Sequence, residues 1–236
     1  MAIQFVGANT DTVNNNGFLD IDLTSLTGGI GSSALEGDIV VFAGTRAFFN
    51  EAFTVTGYTQ LSDGSQSSSH EIRMGVLYKI MGSTPDTSVV NISPESNQAG
   101  IALVFRGVDV DTPIDATTTT DEGGRVSSST QPAITTVTDG AFVLAFLGFG
   151  NNSSSTISSP PTGYSGLTSE KSTVGSRHAI GAGCYKEVST AGTESPSQYQ
   201  SFSGYNNDSN WLASTVALRP GPVSPVNTSN FLAFMQ

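Results

Sequence analysis

Three acidic side chains stand close together in the middle of the chain and could bind a cation. Asp109, Asp111 and Asp115 lie within a Thr-rich stretch, and carboxylate oxygens are the ligands that Ca²⁺ prefers. Their spacing does not match the twelve-residue calcium loop. Asp side chains in such stretches commonly cap the backbone amides of turns. The sequence therefore favours turn capping, keeps a Ca²⁺ site as the weaker hypothesis, and predicts no cofactor.

The two histidines could form a paired metal site or a pH-sensitive switch. His70 and His178 each precede a stretch that ends in Tyr-Lys. When the two stretches are aligned on Tyr-Lys, however, His178 matches Glu71, and one residue reverses the face of a strand. We therefore expect both histidines to be solvent-exposed residues at the starts of strands.

No set of nucleophile and base is apparent. Cys184 is the single cysteine, so an intrachain disulfide is excluded, and we expect a buried, inert thiol. No Gly-x-Ser-x-Gly elbow follows a strand and opens a helix. Glycosidase chemistry needs two carboxylates across a cleft, and nothing in the sequence points to such a pair. We predict no catalytic residue and a protein that is not an enzyme.

Several aromatic side chains could instead form a platform on which a sugar stacks: Tyr58, Tyr164, Tyr199, Tyr205 and Trp211. Tyr205 lies in a stretch typical of an exposed loop, residues 204–208. Tyr58 and Tyr164 each follow Thr-Gly and are better explained as packing anchors. Tyr205 and Trp211 are therefore the candidates for glycan contact.

The elements that must position these residues occur twice. Thr56-Gly57-Tyr58 returns as Thr162-Gly163-Tyr164, Leu77-Tyr78-Lys79 returns as Cys184-Tyr185-Lys186, and the apolar run ending at Arg106 returns as a run ending at Arg219. Nearly constant spacing between the first two markers indicates a duplicated unit with loop insertions. The two similar halves span about residues 36–108 and 133–219.

The periodicity of both halves is that of β-strands. Every second residue from Ile72 to Ile80 is apolar, and the residues between them are Arg73, Gly75, Leu77 and Lys79, which places one strongly apolar face on a long strand. Residues 39–43, 101–105 and 142–147 are nearly continuous apolar runs, typical of central strands buried on both faces. No stretch of twelve or more residues has helical periodicity. Glycines within the strands, Gly75, Gly181 and Gly183, predict bulges or a close approach of two sheets.

We predict an all-β fold: a two-sheet antiparallel β-sandwich, jelly-roll-like and built from the two halves, over residues 1–219. Residues 109–138 join the halves, either as a linker or as a strand-bearing crossover. Residues 220–236 form a Pro-rich connector and an apolar tail containing Phe231, Leu232, Phe234 and Met235. The tail either docks on a neighbouring subunit or folds back. Residues 2–26, outside the duplicated core, are a second candidate for contacts between subunits.

Composition restricts the partners. Only 12% of the residues are charged, the net charge is −11, and the nine basic residues are scattered along the chain. Without a basic stripe we expect no nucleic-acid binding. No apolar run approaches the roughly 18 residues that span a bilayer, and the N-terminal residues contain neither a basic leader nor an apolar secretion segment. We therefore expect no membrane partner.

Several segments together resemble a known β-sandwich module. They are residues 37–41, 56–61, 74–79, 102–109, 112–115 and 216–220. The module occurs in tailed-bacteriophage structural proteins and in bacterial secreted or surface proteins, and the likeness covers about residues 36–220. A tryptophan is common in the module where this chain has Tyr58 and Tyr164. The resemblance implies a jelly-roll-like sandwich with a structural or adhesive role, and it implies no catalytic residues.

On this basis we expect a virion structural protein of a tailed phage. The most concrete form is a capsid decoration or cement protein that binds the major capsid protein outside the head as a homo-oligomer, in such proteins often a trimer. The acidic, lysine-poor composition suits the exterior of a particle better than its DNA-lined interior. The alternative is a host-recognition or carbohydrate-binding module on the tail or a fibre, with a surface glycan as its partner. An enzyme acting on surface polysaccharide is a third hypothesis.

Overall fold

The fold is entirely β in the part of the chain that the structure describes. The structure is a computed structural model, and it describes residues 1–47, 51–67, 71–94, 97–124, 129–151, 156–173, 178–203 and 209–222. Strands but no helices occur in these ranges. The prediction of an all-β, two-sheet antiparallel sandwich is confirmed.

The first half forms one five-stranded antiparallel sheet, ordered β1-β7-β3-β5-β4. Its strands, with two short ones, are β1 (Gln4–Val13), β2 (Asp20–Asp22), β3 (Ile39–Ala47), β4 (Thr59–Gln66), β5 (Ile72–Ile80), β6 (Ser88–Val90) and β7 (Gln98–Arg106). The short strands β2 and β6 pair with each other as a separate ribbon. All pairings in the sheet are antiparallel.

The second half forms the other five-stranded sheet, ordered β12-β13-β10-β16-β8. Its strands are β8 (Ile114–Gly124), β9 (Ile134–Thr135), β10 (Ala141–Asn151), β11 (Thr156–Ser159), β12 (Ser165–Lys171), β13 (His178–Val188), β14 (Thr193–Glu194), β15 (Gln200–Ser203) and β16 (Asn210–Leu218). The short strands pair as β11 with β15 and β9 with β14.

The two sheets repeat one topology, because reading the second sheet from its β8 edge gives the same order of strands as the first. Each half thus places its first long strand at an edge and its last long strand next to it. In the sandwich β1 lies against β12 and β4 lies against β8. Since β1 is equivalent to β8 and β4 to β12, an approximate two-fold axis relates the halves.

The main core lies between the sheets. Side chains from both sheets form one buried cluster that includes Val41, Leu103 and Phe105 from the first sheet and Leu144 and Val216 from the second. Alternate residues of the same strands point outward, and there they are covered by the connecting segments of their own half. Leu19, Ile21 and Phe53 cover the first sheet, and Ile134, Ile157 and Tyr199 cover the second. Both faces of the central strands are therefore buried, which is why their sequences are continuously apolar.

The strand glycines mark a close approach of the sheets. A Cβ atom on Gly183 would lie 2.7 Å from Ile101 Cδ1 in the opposite sheet, and one on Gly148 would lie 2.9 Å from Thr45 Oγ1. The register of β10 with β13 is unbroken through Gly181 and Gly183. For Gly183, close approach of the sheets is therefore the correct explanation. A Cβ on Gly181 would lie 3.5 Å from Thr45 Oγ1, which is an ordinary contact, and one on Gly75 would lie 3.1 Å from Phe53 of its own half.

The structure corrects the boundary of the duplicated core and shows what the segment between the two halves is. Residues 2–26 do not lie outside the duplicated core, because β1 pairs with β7 along its whole length and is equivalent to β8. The segment 109–138 is a strand-bearing crossover, because it contains β8, which pairs with β16. The repeat was visible only from residue 36 onward because the two edge strands have dissimilar sequences.

Candidate functional site

Two of the three aspartates of the cation hypothesis, Asp109 and Asp115, have separate structural tasks. Asp109 Oδ1 accepts hydrogen bonds from the backbone N–H groups of Asp111 at 3.0 Å and Thr112 at 3.1 Å. The backbone hydrogen bond from Thr112 is the main cause that lowers the pKa of Asp109. Within the described ranges no three His, Cys, Asp or Glu side chains are grouped so that they could hold a metal ion.

Asp115 is buried and fastens three parts of the second half together. Its Oδ2 accepts hydrogen bonds from the backbone N–H of Val137 at 2.7 Å and of Thr138 at 3.3 Å, and its Oδ1 accepts one from Arg219 Nε at 3.3 Å. The carboxylate therefore ties the start of β8 to the end of β16 and to the loop before β10.

The equivalent end of the first half contains a similar ion pair. Arg106, the last residue of β7, donates Nε–H and Nη2–H bonds of 2.8 Å to the two oxygens of the buried Asp38. The hydrogen bond with Asp38 raises the pKa of Arg106. The N-terminus lies at the same end: the Met1 ammonium donates to the carbonyl of Gly221, whose N–H bonds to Gly107 O.

Exposed apolar side chains collect at this end of the sandwich. They are Met1, Leu35, Val110 and Val137, with exposed fractions of 66%, 50%, 53% and 64%. The backbone N–H groups of Leu35 and Val137 bond to Asp38 and Asp115 of the two ion pairs. Val110 follows Asp109, whose N–H bonds to Arg219 O. We call these four residues the terminal surface. Clustered exposed apolar side chains commonly mark interaction sites.

Sequence reasoning missed the terminal surface, although a signal for it exists. Val110 lies between two aspartates, Val137 lies between two threonines, and Leu35 precedes Glu36. A single apolar residue in a polar turn has no strand partner to bury it. The sequence does not show, however, that these turns meet at one end of the fold.

The repeated Thr-Gly-Tyr and Tyr-Lys segments form one packing device in each half. In the first half Lys79 Nζ lies 5.8 Å from the Tyr58 ring centroid and pairs with Asp86 at 2.6 Å. In the second half Lys186 Nζ lies 5.9 Å from the Tyr164 ring centroid and pairs with Glu194 at 2.9 Å. Lysine over a tyrosine face is a favourable cation–π arrangement. The glycine before each tyrosine has a left-handed φ of 78° or 82°, which explains why it recurs.

The two devices differ in what surrounds the tyrosine hydroxyl. Tyr164 is buried and its hydroxyl donates to Glu194 Oε1 at 3.4 Å. The hydroxyl of Tyr58 is also buried but has no hydrogen-bond partner among the described residues. Beside it a groove of about 560 Å³ opens on the outside of the first sheet, lined in part by Lys79, Asp86 and the exposed Ile92. We call this space the outer groove.

Most of the aromatic residues proposed to form a sugar-stacking platform are packed inside. Trp211 is only 4% exposed, and its indole covers Gly123 so closely that a Cβ there would lie 2.7 Å from Nε1. The expectation that Trp211 is an exposed contact residue is therefore wrong. Tyr199 is buried as well. Tyr205 and the four tail residues Phe231, Leu232, Phe234 and Met235 lie outside the described residues.

The expectation that both histidines are solvent-exposed is wrong for His178. His178, the first residue of β13, is buried, and its Nδ1 lies 3.1 Å from the carbonyl oxygen of Ser172. Ser172 directly follows the edge strand β12. His70 lies outside the described residues.

Cys184 is buried, as predicted. The side chains around it differ in size from their equivalents in the first half. The first half has Phe42 opposite Leu77 in the register of β3 and β5, whereas the second half has Ala145 opposite Cys184. Tyr199 fills the space that these smaller side chains leave. Its hydroxyl donates to Ala145 O at 2.5 Å and lies 3.3 Å from Cys184 Sγ.

The buried thiol should be unreactive and should make the fold sensitive to alkali. Burial raises the pKa of Cys184 to about 12, so less than about one thiol in a thousand is ionised at pH 8.5. We expect reaction with a disulfide reagent to be at least about 100-fold slower in the native protein than in denaturant. The unfolded thiol ionises near pH 8.5, so this contribution to stability is complete below that pH and is lost as pH rises toward 12. Thiol titration and melting temperatures between pH 7 and 10.5 check both statements, and equal rates in native and denatured protein would contradict them.

Comparison of the chain with protein-family models, with curated proteins and with solved structures gave no match. Within the described residues no helix is long and apolar enough to cross a membrane.

Proposed function

We propose that the protein is a structural protein of a tailed-bacteriophage virion, and specifically a capsid decoration protein. It binds the major capsid protein on the outside of the head as a homo-oligomer, with a trimer as the expected form. The observation that carries this proposal is the terminal surface, a set of four exposed apolar side chains at one end of the sandwich. The sequence resemblance to phage structural modules supplies the class of partner.

The rest of the described molecule fits a role in binding better than a role in catalysis. The outer faces of both sheets are covered by the loops of their own half. The acidic groups at the terminal end, Asp38, Asp109 and Asp115, accept hydrogen bonds from neighbouring groups. The exposed surface there combines the four apolar side chains with free carboxylates such as that of Asp111. Apolar area contributes about 25 cal/mol for each Å² removed from water. A net charge of −11 keeps such a protein away from packaged DNA.

Substituting a charge into the terminal surface should weaken attachment to the particle. We expect Val137→Asp to reduce binding to capsids that lack this protein by at least about tenfold, because docking would desolvate a carboxylate. Val137 is 64% exposed, so the melting temperature should change little. Co-sedimentation with capsids measures the affinity.

Ile92→Asp is the matched control, because Ile92 is 51% exposed but lies in the outer groove. It should bind capsids like the unmodified protein. Normal binding of Val137→Asp together with weakened binding of Ile92→Asp would move the docking site to the outer groove and refute the assignment to the terminal surface.

A second candidate function is recognition of a surface glycan from the tail or a fibre. The outer groove favours it, because Tyr58, the Lys79–Asp86 ion pair and the exposed Ile92 line it. Such mixed polar and aromatic linings suit small polar ligands.

Locating this chain in intact virions by single-particle imaging separates the two candidates. Stoichiometric density on the outside of the head would support decoration. Density restricted to the tail or its fibres would refute decoration and favour glycan recognition, with Tyr58→Phe as the first variant for adsorption assays.

A further inference from the structure

The outer edge of β8 is the feature from which a further inference follows. This strand is eleven residues long and pairs only with β16 among the described residues. An edge strand exposes backbone N–H and C=O groups that another chain can pair with, and proteins normally protect such edges. Its length makes β8 the longest of the four sheet edges.

The equivalent edge in the first half is protected. Residues 27–31 lie along β1 and form four backbone hydrogen bonds with it. Two join Ala8 and Thr27 at 2.9 Å each, one runs from Ile30 N–H to Phe5 O at 3.1 Å, and one runs from Gly31 N–H to Val6 O at 2.9 Å. The fold therefore has a place for an extra extended segment beside its first strand.

A difference in loop length explains why no described segment covers β8 in this way. The connection from β1 to β3 contains 25 residues (14–38), whereas the connection from β8 to β10 contains only 16 (125–140). From residue 129 this shorter connection crosses the outer face of its sheet and does not follow the edge. Gln131 donates to Phe146 O at 3.4 Å, and Ile134 is buried on that face.

The C-terminal residues 223–236 have the properties of a strand that could fill this place. They include Phe231, Leu232, Phe234 and Met235 and contain no charged side chain. The edge itself is acidic, with Asp121 and Glu122, and the net charge of the whole chain is −11. Acidic segments of a second copy would therefore be repelled by this edge, whereas a segment without charged side chains would not. Fourteen extended residues reach about 46 Å, which exceeds the length of β8.

The position where this segment begins favours a second molecule as its acceptor. After β16 the chain turns toward the other sheet, where Pro220 forms a bridge with Val108 and Gly221 N–H bonds to Gly107 O. The carbonyl of Gly221 then accepts from the Met1 ammonium, close to β1. The chain thus leaves on the side of β7 and β1, away from the free edge of its own β8.

We propose that residues 223–236 of one molecule add as a strand to the outer edge of β8 in a second molecule. The backbone of β8 provides the hydrogen bonds. An open cavity beside the edge, lined in part by Ile114, Ala116 and Ile134, receives apolar side chains of the incoming strand. This head-to-tail contact links copies of the chain and does not depend on the virion assignment.

The geometry identifies a backbone group on which to test the contact. Glu122 N–H bonds to the side chain of its neighbour Asp121 at 2.9 Å, so it is not directed at β16. Because N–H directions alternate along an antiparallel strand, Thr120 N–H is also directed at the free edge. Proline at position 120 removes that donor, and proline is tolerated on the open side of an edge strand. Thr120→Ala keeps the N–H group and is the matched control.

The experiment uses the chain shortened to residues 1–222 and a synthetic peptide of residues 223–236. We expect the full chain to associate with rising concentration in sedimentation, the shortened chain to be monomeric, and the peptide to bind the shortened chain. Thr120→Pro should weaken peptide binding by at least about tenfold, and Thr120→Ala by less than about threefold. If Thr120→Pro does not fold, hydrogen exchange of the unmodified shortened chain, with and without the peptide, takes the place of the binding measurement on this variant. Added peptide should then protect the amides of Thr120 and Glu122.

Three results would overturn the proposal. They are a peptide that does not bind, a peptide that binds Thr120→Pro as well as it binds the unmodified protein, and unchanged exchange at Thr120 and Glu122. Association of the shortened chain that Thr120→Pro abolishes would show that the edge pairs with β8 of a second copy instead of with the tail.

Discussion

Phe105→Ala is expected to cost about 3–5 kcal/mol of the free energy of unfolding. Phe105 is fully buried between the sheets, and its ring centroid lies 5.4 Å from that of Phe5, 5.5 Å from Tyr185 and 5.9 Å from Phe142. Truncation therefore removes contacts to both sheets at once, and the close-packed strands on either side limit collapse of the cavity. Chemical denaturation gives the value.

Phe18→Ala is the matched control for this prediction, because the same side chain is removed where it is 53% exposed. We expect a change within about 0.5 kcal/mol. If Phe105→Ala and Phe18→Ala had similar effects, the two halves would not share the aromatic cluster, and the packing of the sheets against each other would be wrong.

Asp115→Ala should be the second most damaging change, with an expected loss of about 3 kcal/mol. It leaves the backbone N–H groups of Val137 and Thr138 and the Arg219 guanidinium without their acceptor. Because the same carboxylate holds the loop of Val137, the substitution should also weaken capsid binding more than its effect on stability explains.

Asp111→Ala serves as the control, since Asp111 is exposed and its side chain forms no hydrogen bond that the structure describes. It should leave stability unchanged within about 0.5 kcal/mol. The pair also tests the older cation hypothesis. Added Ca²⁺ should not alter the melting temperature of the unmodified protein, and a rise that Asp111→Ala or Asp115→Ala abolishes would restore a Ca²⁺ site.

Taken together, the terminal surface and the free edge of β8 describe two kinds of contact. The first is apolar and lies near Met1 and Gly221, which suits a broad supporting surface. The second depends on backbone pairing and connects copies of the chain. Thr120→Pro tests the second contact alone, because Thr120 lies outside the terminal surface, whereas Val137 also lines the cavity beside the β8 edge.

Strand content and the duplication could be predicted from the sequence because both are local properties. The two-residue alternation of residues 72–80 identifies β5, and the continuous apolar runs identify strands buried on both faces. Cys184 was predicted to be buried because the repeat aligns it with Leu77, and its burial is confirmed. For these features a comparison of neighbouring residues and of the two halves was sufficient.

Other features depend on pairing between distant residues, which local patterns do not report. That β8 lies at an edge follows from the pairing of Ile114 with Leu218. Trp211 is buried because Gly123 of the adjacent strand leaves room for its indole. The terminal surface exists because turns far apart in the chain meet at one end. Local sequence patterns are sufficient to show that two similar sets of strands bury both of their faces. The edge position of β8 and the exposure of particular apolar side chains depend on contacts between residues about 100 positions apart, such as Ile114 with Leu218, and local patterns do not report such contacts.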